Sequence, residues 1–363
     1  MKIPRIALID DGISLEFIPE SQHCEHLEIR DGIASPYTPS NGRSHGASCY
    51  RMFREYTKTE HHLVSIKTTK DGIGSLEDLL VALEWCANNS VDLIHMSLGT
   101  RQFDDFDSIS KAVKNLDDTV IVAACSNQNT LTFPACLPNV IGVRHCNLPD
   151  LMDTFVYVPN PYDNIEFFTY IENRSNSTAA PVITAQVCNY LANEVSGLDN
   201  IRWHLQEIAA KDISFLNYDF YKSLLPEWTD VKATIAIIPN HIPKSLEKLK
   251  NLVTVFIENG YRAIGLTHNN TSVEEFVFRL EVDDWQWGQA SIADMIKLYY
   301  NFALPDILFI HTDLERVFDL PEELRPDVVV GSLGESYYPW HRNEIVLDIL
   351  QDDSEIFSQI AED

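Results

Sequence analysis

The stretch NRSNSTAAPVITAQVCNYL, Asn173 to Leu191, runs from a small polar cluster through Ala-Ala-Pro into an apolar pattern of helical period. Two readings of Ser177 and Thr178 are open from these residues alone. They cap a buried helix, or one hydroxyl is presented to a base that takes its proton. Pro181 is expected in the first turn of that helix, where its missing N–H does no harm. Ala179 and Ala180 let the helix pack closely beneath whatever lies above it.

Upstream, short apolar runs alternate with helical patterns. Arg5–Asp10 (RIALID) and His62–Thr68 (HLVSIKT) read as strands, the first ending on a carboxylate. SLEDLLVALEWCANNS carries Leu76, Leu79, Leu80, Leu83 and Trp85 at helical spacing, and VDLIHMSLG, Val91 to Gly99, follows as a strand. DSISKAVKNL then reads as a helix, and TVIVAAC and NVIGVRHC as strands. This alternation predicts a parallel sheet with helices on both faces.

Downstream the texture changes. The segment 196–228 is aromatic-rich and partly helical, and reads as a connector. From 229 to 363 strands (ATIAIIP, RAIGLTH, DILFIHT, DVVVGSL) and helices (SLEKLKNLVTVFIENG, ASIADMIKLYYNFAL) alternate again, which predicts a second, smaller Rossmann-like α/β domain. The predicted organisation is therefore 1–195, 196–228 and 229–363. VVVGSLGES holds two glycines without the G-x-G-x-x-G spacing, and IPNHIPKS is not a phosphate loop.

The chain has 363 residues, 45% hydrophobic and 22% charged, with a formal net charge of −27. That charge opposes binding to nucleic acid or an anionic membrane and attracts basic partners. No apolar run approaches the ~18 residues of a membrane span. MKIPRIALIDDGI is too short in its apolar part for a secretion signal. The seven cysteines are scattered without C-x-x-C, as in reduced thiols. A cytoplasmic location is the expectation. There the N-x-S/T patterns at Asn173 and Asn269 carry no meaning.

Four pieces in order now resemble the subtilisin-like serine peptidases over about residues 4–192. IALIDDGI stands where that family has a strand ending in Asp. SHGASCYRMF stands where it has His-Gly-Thr opening a helix. VDLIHMSLG, TVIVAACSNQN and TFPACLPNVIGV resemble its substrate-binding strand, its oxyanion Asn strand and its Pro-Ala segment. SNSTAAPVITAQ stands where it has Gly-Thr-Ser-Met-Ala-Ala-Pro. Taken singly, a strand-end Asp reads as a turn former, His45 as a surface histidine, Asn127 as a turn residue and Ser177 as an N-cap.

The resemblance implies a triad of Asp10, His45 and Ser177. The imidazole titrates near neutrality and would take the serine proton, and the carboxylate would hold its tautomer. Asp11 competes with Asp10, but the family pattern puts the acid directly after the strand. The oxyanion donors would be the Asn127 amide and the Ser177 backbone N–H.

The resemblance also implies an extended substrate, paired with Ser97, Leu98 and Gly99 on one side and with the turn Gly72 to Ser75, which contains Gly74, on the other. Ala123, Ala124 and Cys125 would wall the pocket before the cut, and Gly99 would permit close backbone approach. His95 is expected buried or at the rim, without a catalytic role. His23, His26, His61 and His62 lack the carboxylate or Cys spacing of a metal site, so no metal and no cofactor are expected.

Three departures stand out: Ser175-Asn176 for Gly-Thr, Ser126 for Gly and Ala47 for Thr. They point to a narrow, slow or partner-activated peptidase acting on a peptide or protein, such as a precursor leader. The other reading is a pseudo-protease that binds peptide without cutting it. The C-terminal part resembles no family, and the readings open for it are a surface for a peptide or partner protein, a scaffold that completes a short protease core, or a small-molecule sensor.

Overall fold

The computed structural model describes every residue except 1, 40, 71, 152–153, 160, 173–174, 226, 269–272, 281–289, 318–319, 333–344 and 362–363. The acceptor patterns at Asn173 and Asn269, and the end of VVVGSLGES, lie outside the described residues. The chain divides into two compact units, Met1–Ile213 and Ser214–Asp363, so the boundary falls inside the aromatic-rich stretch.

The first unit is built on a nine-stranded sheet. Its strands are β1 (Arg5–Asp10), β2 (Cys24–Arg30), β3 (Ile33–Pro36), β4 (His62–Lys67), β7 (Leu93–Met96), β8 (Val120–Ala124), β9 (Ile141–His145), β10 (Phe155–Tyr157) and β11 (Phe167–Thr169). A separate two-stranded ribbon joins β5 (Thr69–Lys70) to β6 (Ile73–Gly74). The sheet order is β10-β11-β9-β8-β7-β1-β4-β2-β3. Its centre is parallel, and both edges are closed by antiparallel pairs, β2 with β3 and β10 with β11. β1, β7 and β8 are apolar almost throughout because both faces are covered by helices.

Among the described residues, the α-helices of this unit are α1 (His45–Tyr56), α2 (Leu76–Asn88), α3 (Phe106–Lys114), α4 (Asn176–Ala192) and α5 (Leu198–Ile208). α4 is buried around nearly its whole circumference, and Ile183, Val187 and Leu191 share one core with Leu8, Leu93 and Val122 of the central strands. A helix apolar all round belongs inside a protein. α4 begins at Asn176, so Pro181 sits in the second turn and not the first. The carbonyl of Ser177, which an N–H at position 181 would meet, accepts instead from the Cys49 thiol at 3.4 Å.

The second unit carries β12 (Thr234–Pro239), β13 (Ala263–Thr267), β14 (Val277–Arg279), β15 (Ile307–Thr312), β16 (Val328–Gly331) and β17 (Ile345–Asp348). All pair in parallel, in the order β14-β13-β15-β12-β16-β17. This is a doubly wound α/β arrangement whose two central strands are exchanged relative to the dinucleotide-binding order. Its helices are α6 (Tyr218–Leu224), α7 (Ser245–Glu258), α8 (Ile292–Ala303) and α9 (Asp353–Ala361). Among the described residues of the chain, no helix is long and apolar enough to cross a membrane.

Candidate active site

β1 ends on Asp10, which is only 5% exposed. The next residue takes a different task. Asp11 accepts from the backbone N–H groups of His45 and Gly46, at 2.9 and 2.8 Å, and so caps the start of α1. Ser44 adds its side chain to the Ala47 N–H at 3.1 Å. The competition between the two aspartates thus resolves into neighbouring roles. A side chain at Gly46 would press against the Gly12 carbonyl at 2.6 Å and Asp10 Cβ at 3.2 Å, so only glycine lets α1 lie this close to the strand end.

With α1 fixed there, the His45 imidazole spans the gap between two elements. Nδ1 donates to Asp10 Oδ2 at 2.8 Å, and Nε2 accepts from Ser177 Oγ at 2.9 Å. The carboxylate sets the tautomer, leaving Nε2 bare for the hydroxyl proton. The His45 side chain is 42% exposed, while Ser177 is 5% exposed.

The electrostatics follow from this geometry. The hydrogen bond to Asp10 and the contact with Cys49 raise the His45 pKa above the ordinary imidazole value, against the opposing pull of burial. Burial pushes the Asp10 carboxyl up. His45, the Ser97 hydroxyl and the Asp11 N–H more than offset it, so the carboxyl lies below the usual range. His95, fully buried beneath the site, is driven down to about 4 by desolvation. Its Nδ1 lies 2.8 Å from the Thr184 hydroxyl and it touches none of the three residues by hydrogen bond, in keeping with a non-catalytic place.

Asn127 lies exposed at the end of β8, and its Oδ1 accepts from the backbone N–H of Asn176 at 3.1 Å. An N–H faces an acceptor, so this contact fixes which end of the amide is oxygen. Nδ2 is left free to donate. Ser177 is the second residue of α4, with its N–H in the unpaired first turn.

The residues expected to hold substrate divide into two groups. Leu98, Gly99, Gly72 and Gly74 line one cleft, together with Thr68, Ser75 and Asp105. Ala123, Ala124 and Cys125 are buried in or just after β8 and do not line that cleft. Ser97 turns its hydroxyl onto Asp10 Oδ2, a contact that strand position alone did not reveal. The close approach at Gly99 is made by the Phe133 carbonyl, 2.5 Å from where a Cβ would stand, through the Thr100–Phe133 bridge.

Cys49 was likewise unread in the sequence. Its Sγ is 3.8 Å from His45 Nδ1, and with Asp10 and His45 it forms the one cluster of metal-type donors found among the described residues. His61 instead hydrogen-bonds toward Tyr50 and Thr59 in the core, and His23 packs on the ring of His62.

A parallel α/β sheet whose carboxyl edge joins an aspartate, a histidine and a helix-borne serine is the arrangement of a serine peptidase, and the chain is similar to proteins of that class. A family model described as the subtilase family matches residues 57–211, within the first unit.

Among curated proteins, it is 25% identical to the halolysin-like extracellular serine protease Nep of Natrialba magadii, over 56% of this chain and 43% of that protein. It is 27% identical to the minor extracellular protease Epr of Bacillus subtilis (strain 168), over 45% of this chain and 26% of that protein. The chain thus spans less than half the length of either relative. Among solved structures, a lanthipeptide protease aligns with a TM-score of 0.43 and 12% identity, covering 55% of this chain and 78% of the other.

Proposed function

We propose that the first unit is a serine endopeptidase with Asp10, His45 and Ser177 as its triad. The single observation that carries this reading is the His45 ring, hydrogen-bonded at once to the carboxylate and to the hydroxyl. As Ser177 Oγ attacks a peptide carbonyl, its proton passes to His45 Nε2. The resulting imidazolium is stabilised by Asp10 and then protonates the leaving amine. The oxyanion forms beside Asn127 Nδ2 and the Ser177 N–H, at the positive end of α4. Water then repeats the sequence to release the acyl group.

We assign the substrate to a specific precursor or leader peptide. The support is the joining of this unit to a second one that holds none of the triad. The exposed Val346 and Leu350, at and after β17, suit a role there in holding a partner or the rest of the substrate. The seven unpaired thiols fit a reducing compartment such as the cytoplasm.

Incubation of the purified chain with a defined peptide library tests the reading. Cleavage at a restricted set of bonds, lost in Ser177→Ala, is the expected result. Cleavage that persists in that variant removes the assignment.

A second reading, a peptide-binding pseudo-protease, is favoured by one contact. Ser175 Oγ, standing where the family has glycine, lies 2.9 Å from Ser177 Oγ and shares its hydrogen-bonding capacity. That reading requires peptide affinity without turnover, unchanged in Ser177→Ala.

A further inference from the structure

The residue before the candidate nucleophile has an unusual set of partners. Asn176 is 3% exposed, and every polar atom of its side chain is engaged. Its Oδ1 accepts from the His145 N–H at 2.7 Å. Its Nδ2 donates to the Ser126 carbonyl and, at 2.9 Å, to Asn129 Oδ1. Its backbone N–H is the donor that meets Asn127 Oδ1. Asn176 therefore clamps the loop 126–129 at both ends and holds the one amide assigned to the oxyanion.

The clamp is itself anchored. Asn129 sits at a positive φ of 54° and receives a second hydrogen bond from Arg144 Nε at 3.0 Å. Arg144 is wholly buried and ion-paired to the equally buried Asp163. A buried ion pair is costly unless its geometry is held, so it makes a stiff base for what it touches. The sequence departs from the family at this very place, with Asn176 for Thr and Ser126 for Gly.

We propose that Asn176 is a positioning residue for the oxyanion site, orienting the Asn127 amide through a network founded on Asn129, Arg144 and Asp163. It acts through Asn127, because its own side chain is spent on the loop and on His145. The proposal rests on the peptidase reading for its catalytic meaning, and on geometry alone for the orientation of Asn127.

The test is a double-mutant cycle read with a fluorophosphonate probe, whose phosphoryl oxygen gathers charge in the same place as a peptide oxyanion. Inactivation rate constants are compared for wild type, Asn127→Ala, Asn176→Ala and the double variant. Asn176→Ala is expected to slow inactivation by about 10- to 100-fold, the scale of a misplaced catalytic group. In the Asn127→Ala background the same change is expected to have almost no further effect. An equal loss in both backgrounds overturns the proposal.

Asn129→Ala, which leaves the Asn176 backbone untouched, gives the same comparison should Asn176→Ala fail to fold. The side-chain NH2 resonances of Asn127 are followed in parallel. Broadening or a large shift in Asn129→Ala is expected, and unchanged signals overturn the orientation argument. A wild type that resists the probe counts against the peptidase reading, and the amide resonances then decide the present one.

Discussion

The thiol of Cys49 donates to the carbonyl of Ser177, at 3.4 Å, because Pro181 brings no N–H to meet it. A proline in the second turn of a buried helix would otherwise leave an orphan acceptor directly under the candidate nucleophile. Cys49 also lies 3.6 Å from Ser97 Oγ and touches His45. One small buried side chain therefore supports the backbone of Ser177 and packs against the partners of the imidazole.

Replacing Cys49 should separate these contributions. Cys49→Ala leaves the Ser177 carbonyl unsatisfied in the interior, at a cost of about 1–3 kcal/mol. In the Pro181→Ala background the helix supplies its own donor, and most of that cost should disappear. Chemical denaturation of the four proteins reads the coupling, and strictly additive losses would refute the account.

The charge state of His45 gives a second test. Catalysis needs the neutral ring, and the hydrogen bond to Asp10 raises its pKa. The acid limb of kcat/KM should therefore lie above the ordinary imidazole value of about 6.5. Titrating His45 by NMR in Ser177→Ala should show the raised value, and adding Asp10→Asn should bring it down. A ring that titrates at or below its ordinary value with Asp10 intact contradicts the arrangement.

Two buried imidazoles contribute to the response to acid. His95 in the first unit and His311 in the second are both pushed down to about 4 by burial. The unfolded chain takes up these protons near pH ~6.5 while the folded chain does not, so stability is lost as pH falls from there toward 4. His95→Gln and His311→Gln should each flatten the loss over that window in urea titrations. An unaltered slope would show that these rings make no contribution to it.

Arg144 and Asp163 form a fully buried pair. Arg144→Met alone strands a buried carboxylate and should cost about 3–5 kcal/mol, whereas Arg144→Met with Asp163→Leu should recover much of it. The double variant still lacks the support of Asn129, so its probe reactivity should remain low when its stability has returned. Full recovery of both would separate the ion pair from the site.

The strands that read clearly are those with continuous apolar runs. Arg5–Asp10 and Thr234–Pro239 both emerge as written because each is buried over most of its length. The hairpin Cys24–Arg30 with Ile33–Pro36 was not visible, since Ile29 is its one buried residue and the charged side chains mask the period of two. Phe155–Tyr157 and Phe167–Thr169 span three residues each, too few for a pattern to show.

At the site, Asp10, His45, Asn127 and Ser177 were legible because each follows a strand or opens a helix in a recognisable local sequence. The contacts of Ser97, Cys49 and Asn176 were not. Their partners lie 87, 128 and between 31 and 50 residues away, and only the folded sheet edge brings them together.

The most direct test is mass spectrometry of the intact chain and its digest after reaction with a fluorophosphonate. The account expects a single adduct on the peptide bearing Ser177, absent in Ser177→Ala and strongly reduced in His45→Ala. An unmodified Ser177, or an adduct that survives its replacement, would contradict it.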